Sequence, residues 1–215
     1  MNLSKLFEAQ RELDDYIEQQ HPVQPGEDRL SKKILALLVE LGECANEFRG
    51  FKFWSNDRKP RTVLHTWIDG IGKVIKSMSE PLGSKQKINC YRIKNPLLEE
   101  YVDCLHFMLS IGNDIDCDVS RDYNALKVTD SDITKQLITL FSYTTKISHN
   151  VSFLESHRSE EQISKWTEDA LQNSYVVTVG AFLGLGEMLG FTETQIEQAY
   201  WEKYKINKQR QQNGY

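Results

Sequence analysis

Two acidic pairs set the terms on which this chain can fold: Glu40-Leu41-Gly42-Glu43 and Glu100-Tyr101-Val102-Asp103. Residues three apart lie on one face of an α-helix, so each pair aims two carboxylates at the same point. Both pairs stand inside apolar helical runs, where a carboxylate is costly to bury without a cation or a hydrogen-bonding partner. Four converging carboxylates make a hard, all-oxygen site of the kind Mg²⁺ prefers, and Mg²⁺ usually arrives carrying substrate phosphates. The pattern points to phosphate chemistry in a helical protein.

Each constellation has a plainer reading. Glu40, Glu43 and Glu47 form one ridge at i, i+3 and i+7, and helical glutamates most often face solvent. Against that, Val39, Leu41, Cys44 and Ala45 beside them are apolar or small, and no lysine at i+4 neutralises the row. One pair alone leaves the two readings balanced; a second pair in another apolar helix favours the metal. After Glu100 and Asp103 come His106 and Phe107, with Phe107 on the same side of the helix as Asp103. By default these are a core aromatic and a satisfied histidine; the functional reading is a base-stacking wall beside the metals. The C-terminus is rich in donors, and a frayed tail is its ordinary explanation. Yet Lys203, Asn207 and Arg210 recur on one helix face before a Gly214-Tyr215 end. Such donors suit a polyphosphate whose charge metals only partly neutralise.

The rest of the chain reads as helices. Residues 3–20 are amphipathic, with Leu6, Leu13 and Ile17 as the apolar stripe, and Pro22, Pro25 and Gly26 mark a loop. The spacing predicts a second helix from about Asp28 to Arg49, stopped by Gly50, then an aromatic loop Phe51-Lys52-Phe53-Trp54. A helix over 62–79 is expected, followed by an excursion around Pro81, Gly83 and Ser84-Lys85-Gln86-Lys87. Pro96 opens a helix reaching about Ile111, and the Asp-rich stretch from Gly112 to Thr129 reads as loop or insertion. Three more helices begin at Ser131, at Ser159 with Gln162 as capping-box partner, and at Thr192 with Gln195. The second of these ends at Gly190. With no alternating strand pattern and no repeat, the fold class is all-α: one domain over 1–215, with variable insertions near 57–95 and 112–130.

Charge and cysteine content narrow the partners. A formal net charge of −5 argues against direct nucleic-acid binding, which needs a basic surface. Cys44, Cys90, Cys104 and Cys117 show no zinc spacing, and reduced, inert thiols are expected. The first residues lead into an amphipathic stretch rather than a signal segment, and the run from Val176 to Gly186 is too short to span a bilayer. The expectation is a soluble, cytoplasmic protein of a bacterial or phage-infected cell, without membrane contact.

Taken together, the motifs resemble those of the dimeric, all-α dUTPases, relatives of the MazG-like nucleotide pyrophosphatases. The resemblance rests on residues 40–54, residues 98–107 and the Lys203–Tyr215 terminus, with weaker support from residues 6–14. ExxE alone is weak; ExxE with FKxW, ExxD-xxHF and a terminal KxxxNxxRQxxGY, in that order, is specific. The motif flavour is similar to Gram-positive bacterial and phage members. The long gap between Glu43 and Glu100 implies an insertion within 57–95, and Asp14 stands where the family often has Asn.

The resemblance implies an intertwined homodimer of the all-α NTP pyrophosphatase type that hydrolyses dUTP to dUMP and pyrophosphate, with dUDP as a second substrate. Glu40, Glu43, Glu100 and Asp103 would hold Mg²⁺, or Mn²⁺ as a substitute, and Glu40 would double as general base. Lys203, Asn207, Arg210 and Tyr215 would clamp the phosphates, and Lys52 and Trp54 would close the site. Gln10, Asp14, His106 and Phe107 would form the nucleoside pocket. Two alternatives stay open: a dCTP or general dNTP pyrophosphatase, and a phage regulatory protein binding a host mobile-element repressor.

Overall fold

The computed structural model describes residues 1–68, 74–78, 91–157 and 159–214. Six α-helices occur among them: α1 (Leu3–Gln20), α2 (Arg29–Phe48), α3 (Pro96–Asp114), α4 (Ile133–Ser156), α5 (Glu161–Met188) and α6 (Glu193–Gln212). The helical fold class expected from sequence therefore stands, and the chemistry at the helix ends explains most boundaries. Asn2, Asp28, Asn95 and Asp132 each accept a hydrogen bond from the backbone N–H three residues on, satisfying donors the helix leaves orphaned. Pro96 occupies the first turn of α3, where its missing N–H costs nothing. The Thr192–Gln195 capping box forms as expected at α6.

Two ends differ from the sequence expectation. The Ser159–Gln162 box does not form: Glu160 caps α5 without a side-chain hydrogen bond. At the end of α2 the left-handed residue is Arg49, φ 63°, rather than Gly50. Its guanidinium donates twice to the Asp57 carbonyl at 2.9 and 3.0 Å and meets the Asp57 carboxylate at 3.0 Å. Those contacts offset the roughly 1 kcal/mol or more that a non-glycine residue loses in this conformation.

Where the spacing predicts a helix over 62–79, the described residues 64–68 and 74–78 are strands of an antiparallel sheet. Strands β1 (Leu64–Ile68), β2 (Val74–Met78) and β3 (Tyr91–Lys94) lie in the order β2-β1-β3, with His65 opposite Met78 on one side and Ile93 on the other. The physical reason is visible in composition. Thr62, Val63, Thr66, Trp67 and Ile68 are β-branched or aromatic, which lowers helix preference and suits a pleated surface. The sheet is clamped at its root, where Arg61 N–H donates to the Glu47 carbonyl (2.9 Å) and Leu97 N–H donates to the Arg61 carbonyl (3.1 Å). The end of α2 and the start of α3 are thus held together whatever lies between. Pro81, Gly83 and Ser84 to Lys87 fall outside the described residues.

Helix α3 is the hub of the bundle, packing on α1, α2 and α6, while α4 and α5 form an antiparallel pair that also meets α2 and α3. Three buried tyrosines tie these layers through their hydroxyls. Tyr101 stacks on Phe182 at 4.3 Å and donates to its carbonyl at 3.1 Å; Tyr175 donates to the Met108 carbonyl at 2.9 Å; Tyr200 donates to the Leu6 carbonyl at 3.2 Å. Each combines a large apolar area with a satisfied polar tip.

The polar stretch 112–130 is less loop-like than its composition. Its first residues complete α3, and a 3₁₀ turn (Tyr123–Leu126) buries Tyr123 at 1% exposure. The carbonyls of Leu126 and Val128 press onto α5 where a Cβ on Gly180 or Gly184 would come within 2.2 or 2.0 Å. Only glycine permits that approach. Gln136 seals the contact, donating to the carbonyls of Val128 (2.9 Å) and Ala181 (2.6 Å).

Candidate active site

Packing of α2 against α3 brings the acidic ridges together. Carboxylate oxygens of Glu40, Glu100 and Asp103 lie within 4.8 Å of one another. Glu43 is exposed, stands outside that tight group, and lines the same cavity. Glu47 turns away from the cluster to pair with Arg61 at 3.2 Å.

The electrostatics are those of a site wanting positive charge. Burial pushes the Glu40 carboxyl up to about 7, helped by the negative charges of Asp103 and Glu43. Glu100 is likewise raised to about 7, by burial first and then by Asp103, Glu43 and Glu40. Asp103 is raised by burial, while a hydrogen bond from Lys203 opposes the shift. Lys203 reaches in from α6, its ammonium donating to Asp103 Oδ2. Like charges at this spacing repel in a low-dielectric setting, so a cation among them stabilises the ionised forms. The donor set is all carboxylate oxygen, which fits a hard divalent metal.

The cluster opens into a cavity of about 1000 Å³ among α1, α2, α3 and α6. Asn207 and Arg210 line it beside Lys203, so the donor face of α6 meets the acidic face of α2 and α3. At the other end stands a polar network. Gln10, 3% exposed, accepts from His106 Nδ1–H at 2.7 Å and shares the single Tyr200 hydroxyl hydrogen, at 3.2 Å, with the Leu6 carbonyl. It donates to Asp14 Oδ1 at 2.8 Å, and Ser110 donates to Asp14 Oδ2 at 2.6 Å. Burial and the charge of Lys203 pull His106 down to about 3, so its imidazole is neutral, and it stacks on Tyr200 at 4.3 Å. Phe107 lines the cavity beside it.

Lys52 and Trp54 do not line this cavity. Trp54 is 66% exposed, edge-on to Phe51 and Phe53 at 5.8 and 5.0 Å, and the Lys52 ammonium sits 5.6 Å from the Phe51 ring. Tyr215 falls outside the described residues. Among the cavity or network residues that escaped the sequence reading are Ser110, Lys33 and Tyr200. Ser110 follows Asp103 and His106 at i+7 and i+4, a periodicity that marks it on the same face of α3. Lys33 precedes Glu40 by two turns and pairs with Asp114 at 2.7 Å. Tyr200 carried no signal distinguishing it from other aromatics of α6.

The chain matches the dUTPase family over residues 2–78 and 85–215, nearly its whole length. It belongs to the all-α, dimeric dUTPase family. Membership implies dUTP diphosphatase activity; the family generally uses a divalent metal and is typically oligomeric. No curated protein and no solved structure matches the chain. The interruption of the dUTPase match, residues 79–84, falls between β2 and β3. Among the described residues of this dUTPase, no single helix is long and apolar enough to cross a membrane.

Proposed function

We propose that this dUTPase is a Mg²⁺-dependent dUTP nucleotidohydrolase in which Glu40, Glu43, Glu100 and Asp103 hold the metal. The observation that carries this reading is the meeting of three carboxylates with the donor face of α6 in one cavity. When bound, Mg²⁺ or Mn²⁺ supplies charge stabilisation for the phosphate oxygens and acidifies water. Lys203, Asn207 and Arg210 donate to the triphosphate and hold it in line for attack. The Glu40 carboxylate takes a proton from the attacking water, whose oxygen bonds to phosphorus as the α–β bridging P–O bond breaks. Pyrophosphate leaves and dUMP remains; dUDP, with one phosphate fewer, is a second substrate.

At the nucleoside end, the Gln10 oxygen is committed to His106 and Tyr200 and one amide hydrogen to Asp14, which leaves its second amide hydrogen as the donor. Beside it, the Asp14 carboxylate offers acceptors. A donor next to an acceptor matches a uracil carbonyl and its adjacent N3–H, with Phe107 as the stacking face. Neutral His106 fixes the amide orientation that this match needs.

A homodimer is part of the proposal. Leu35, Val39 and Ile138 are 62%, 51% and 61% exposed on the neighbouring helices α2 and α4, an apolar surface that assembly would cover. The test is a nucleotide panel with Mg²⁺, scoring pyrophosphate release from dUTP, dTTP, dCTP and UTP, with mass by light scattering on the same preparation. Preferential dUTP turnover by a dimer, abolished by EDTA, is expected. Equal rates on dCTP would move the assignment to a general dNTP pyrophosphatase.

A further inference from the structure

The ammonium of Lys203 sits on the acidic cluster, where a metal would also have to bind. Its contact with Asp103 Oδ2 is partly buried, with side-chain exposures of 22% for the lysine and 15% for the aspartate. The same positive charge reaches Glu40 and Glu100. Lys33, the other lysine near the network, is occupied elsewhere: it pairs with Asp114 at 2.7 Å and lies 3.9 Å from Asp14. Lys203 is thus the lysine that α6 commits to the cluster.

We infer that Lys203 serves two anions in turn: it neutralises Asp103 while the cluster holds no metal, and it swings to the triphosphate when a divalent cation takes the carboxylates. This rests on the metal and substrate reading proposed above. A divalent ion on the Asp103 carboxylate would stand against the ammonium already on Oδ2, and the repulsion between the two cations favours exchange of one for the other. Without nucleotide, the displaced ammonium loses its partner and stays beside a second cation, which opposes metal binding. With a triphosphate in the cavity that Lys203 lines, its anionic oxygens replace Asp103 as partners for the ammonium, and the opposition falls. Metal and nucleotide therefore strengthen each other's binding, by equal factors in both directions. The arrangement keeps the cluster from holding metal firmly until the substrate that needs it arrives.

Calorimetric titration of Mg²⁺ and Mn²⁺ into the full chain tests this, with and without a non-hydrolysable α,β-imido analogue of dUTP. Lys203→Met should bind metal without nucleotide roughly tenfold more tightly than wild type, since a contacting positive charge has been removed. The analogue should then tighten metal binding less than it does in wild type. Lys203→Arg, which keeps the charge, should stay near wild type. Lys203→Gln gives the same comparison if the methionine variant loses helical circular dichroism. Nucleotide-free metal affinity that is unchanged or weaker in the uncharged variants would overturn the exchange and leave Lys203 a static ion pair. A wild-type chain that binds neither ion in either condition would instead overturn the metal reading itself.

Discussion

Asp103 faces two demands at once: burial raises its carboxyl, and Lys203 answers by hydrogen bonding to it. A residue so placed contributes little to packing and much to charge. Replacing Asp103 by Asn, or Glu43 by Gln, changes almost no volume and removes one negative charge from the cavity. Activity should fall by roughly a hundredfold or more, because the lost interaction is made mainly in the transition state. Steady-state dUTP hydrolysis beside far-ultraviolet circular dichroism measures this; near-normal kcat with intact helix would remove that residue from the ligand set. Glu43 is the sharper case, since it is exposed and outside the tight trio. The neighbours Gln10 and His106 meet at 2.7 Å, which satisfies the Gln10 oxygen and His106 Nδ1, while His106 Nε2 stays buried with no hydrogen-bond partner among the described residues.

Among the elements, α6 separates folding from chemistry along its own length. Its buried residues, Ile196 and Tyr200, lie in the first two turns, and the cavity donors Lys203, Asn207 and Arg210 follow. Ending the chain before Lys203 should therefore leave the bundle folded and abolish dUTP turnover. Deleting Ser84 to Lys87 should leave turnover nearly intact, because the backbone clamp between Glu47, Arg61 and Leu97 holds α2 against α3 at the root of that segment. Parallel dUTP assays on both variants, with thermal unfolding of each, decide the matter. A truncated chain that still hydrolyses dUTP would show that α6 supplies only its buried half. The helices were legible from apolar periodicity and capping residues, as Thr192 with Gln195 shows. The sheet is not legible because the β preference of Thr62 to Ile68 spans too few residues to show a clear alternation against a helical reading, and its partner β3 lies far along the chain.

For the molecule as a whole, the acidic cluster links stability to pH and to metal. In the metal-free protein Glu40 and Glu100 titrate near 7 against an ordinary 4.5, so between those values the folded state holds protons that the unfolded chain has released. Their contribution falls as pH rises through that window. His106 acts in the opposite sense: folded, it titrates near 3 against 6.5, so its contribution falls as pH drops below 6.5. Mg²⁺ competes with protons for the two glutamates and not for His106. The rise in Tm on adding Mg²⁺ should therefore be larger at about pH 8 than at about pH 6. Scanning fluorimetry with Mg²⁺ and with EDTA checks it; an equal rise at both values would place the bound ion elsewhere.

What the sequence determined alone was the six described helices of the bundle, though not the sheet, and the content of each chemical face. Spacing of three and four residues puts Glu40 with Glu43, Glu100 with Asp103, and Lys203 with Asn207 on common faces, because helical geometry is local. What only the tertiary structure decided was which faces meet, and at what distance. Nothing local places Glu40 within 4.8 Å of Glu100 and Asp103 while leaving Glu43 outside, or sets Lys203 on Asp103 rather than in solvent. Nor does local sequence turn Gln10 towards His106 across 96 residues, or press Val128 onto Gly184. Those outcomes depend on how helices distant in sequence pack, where side-chain volume and the satisfaction of buried polar groups select one arrangement from many.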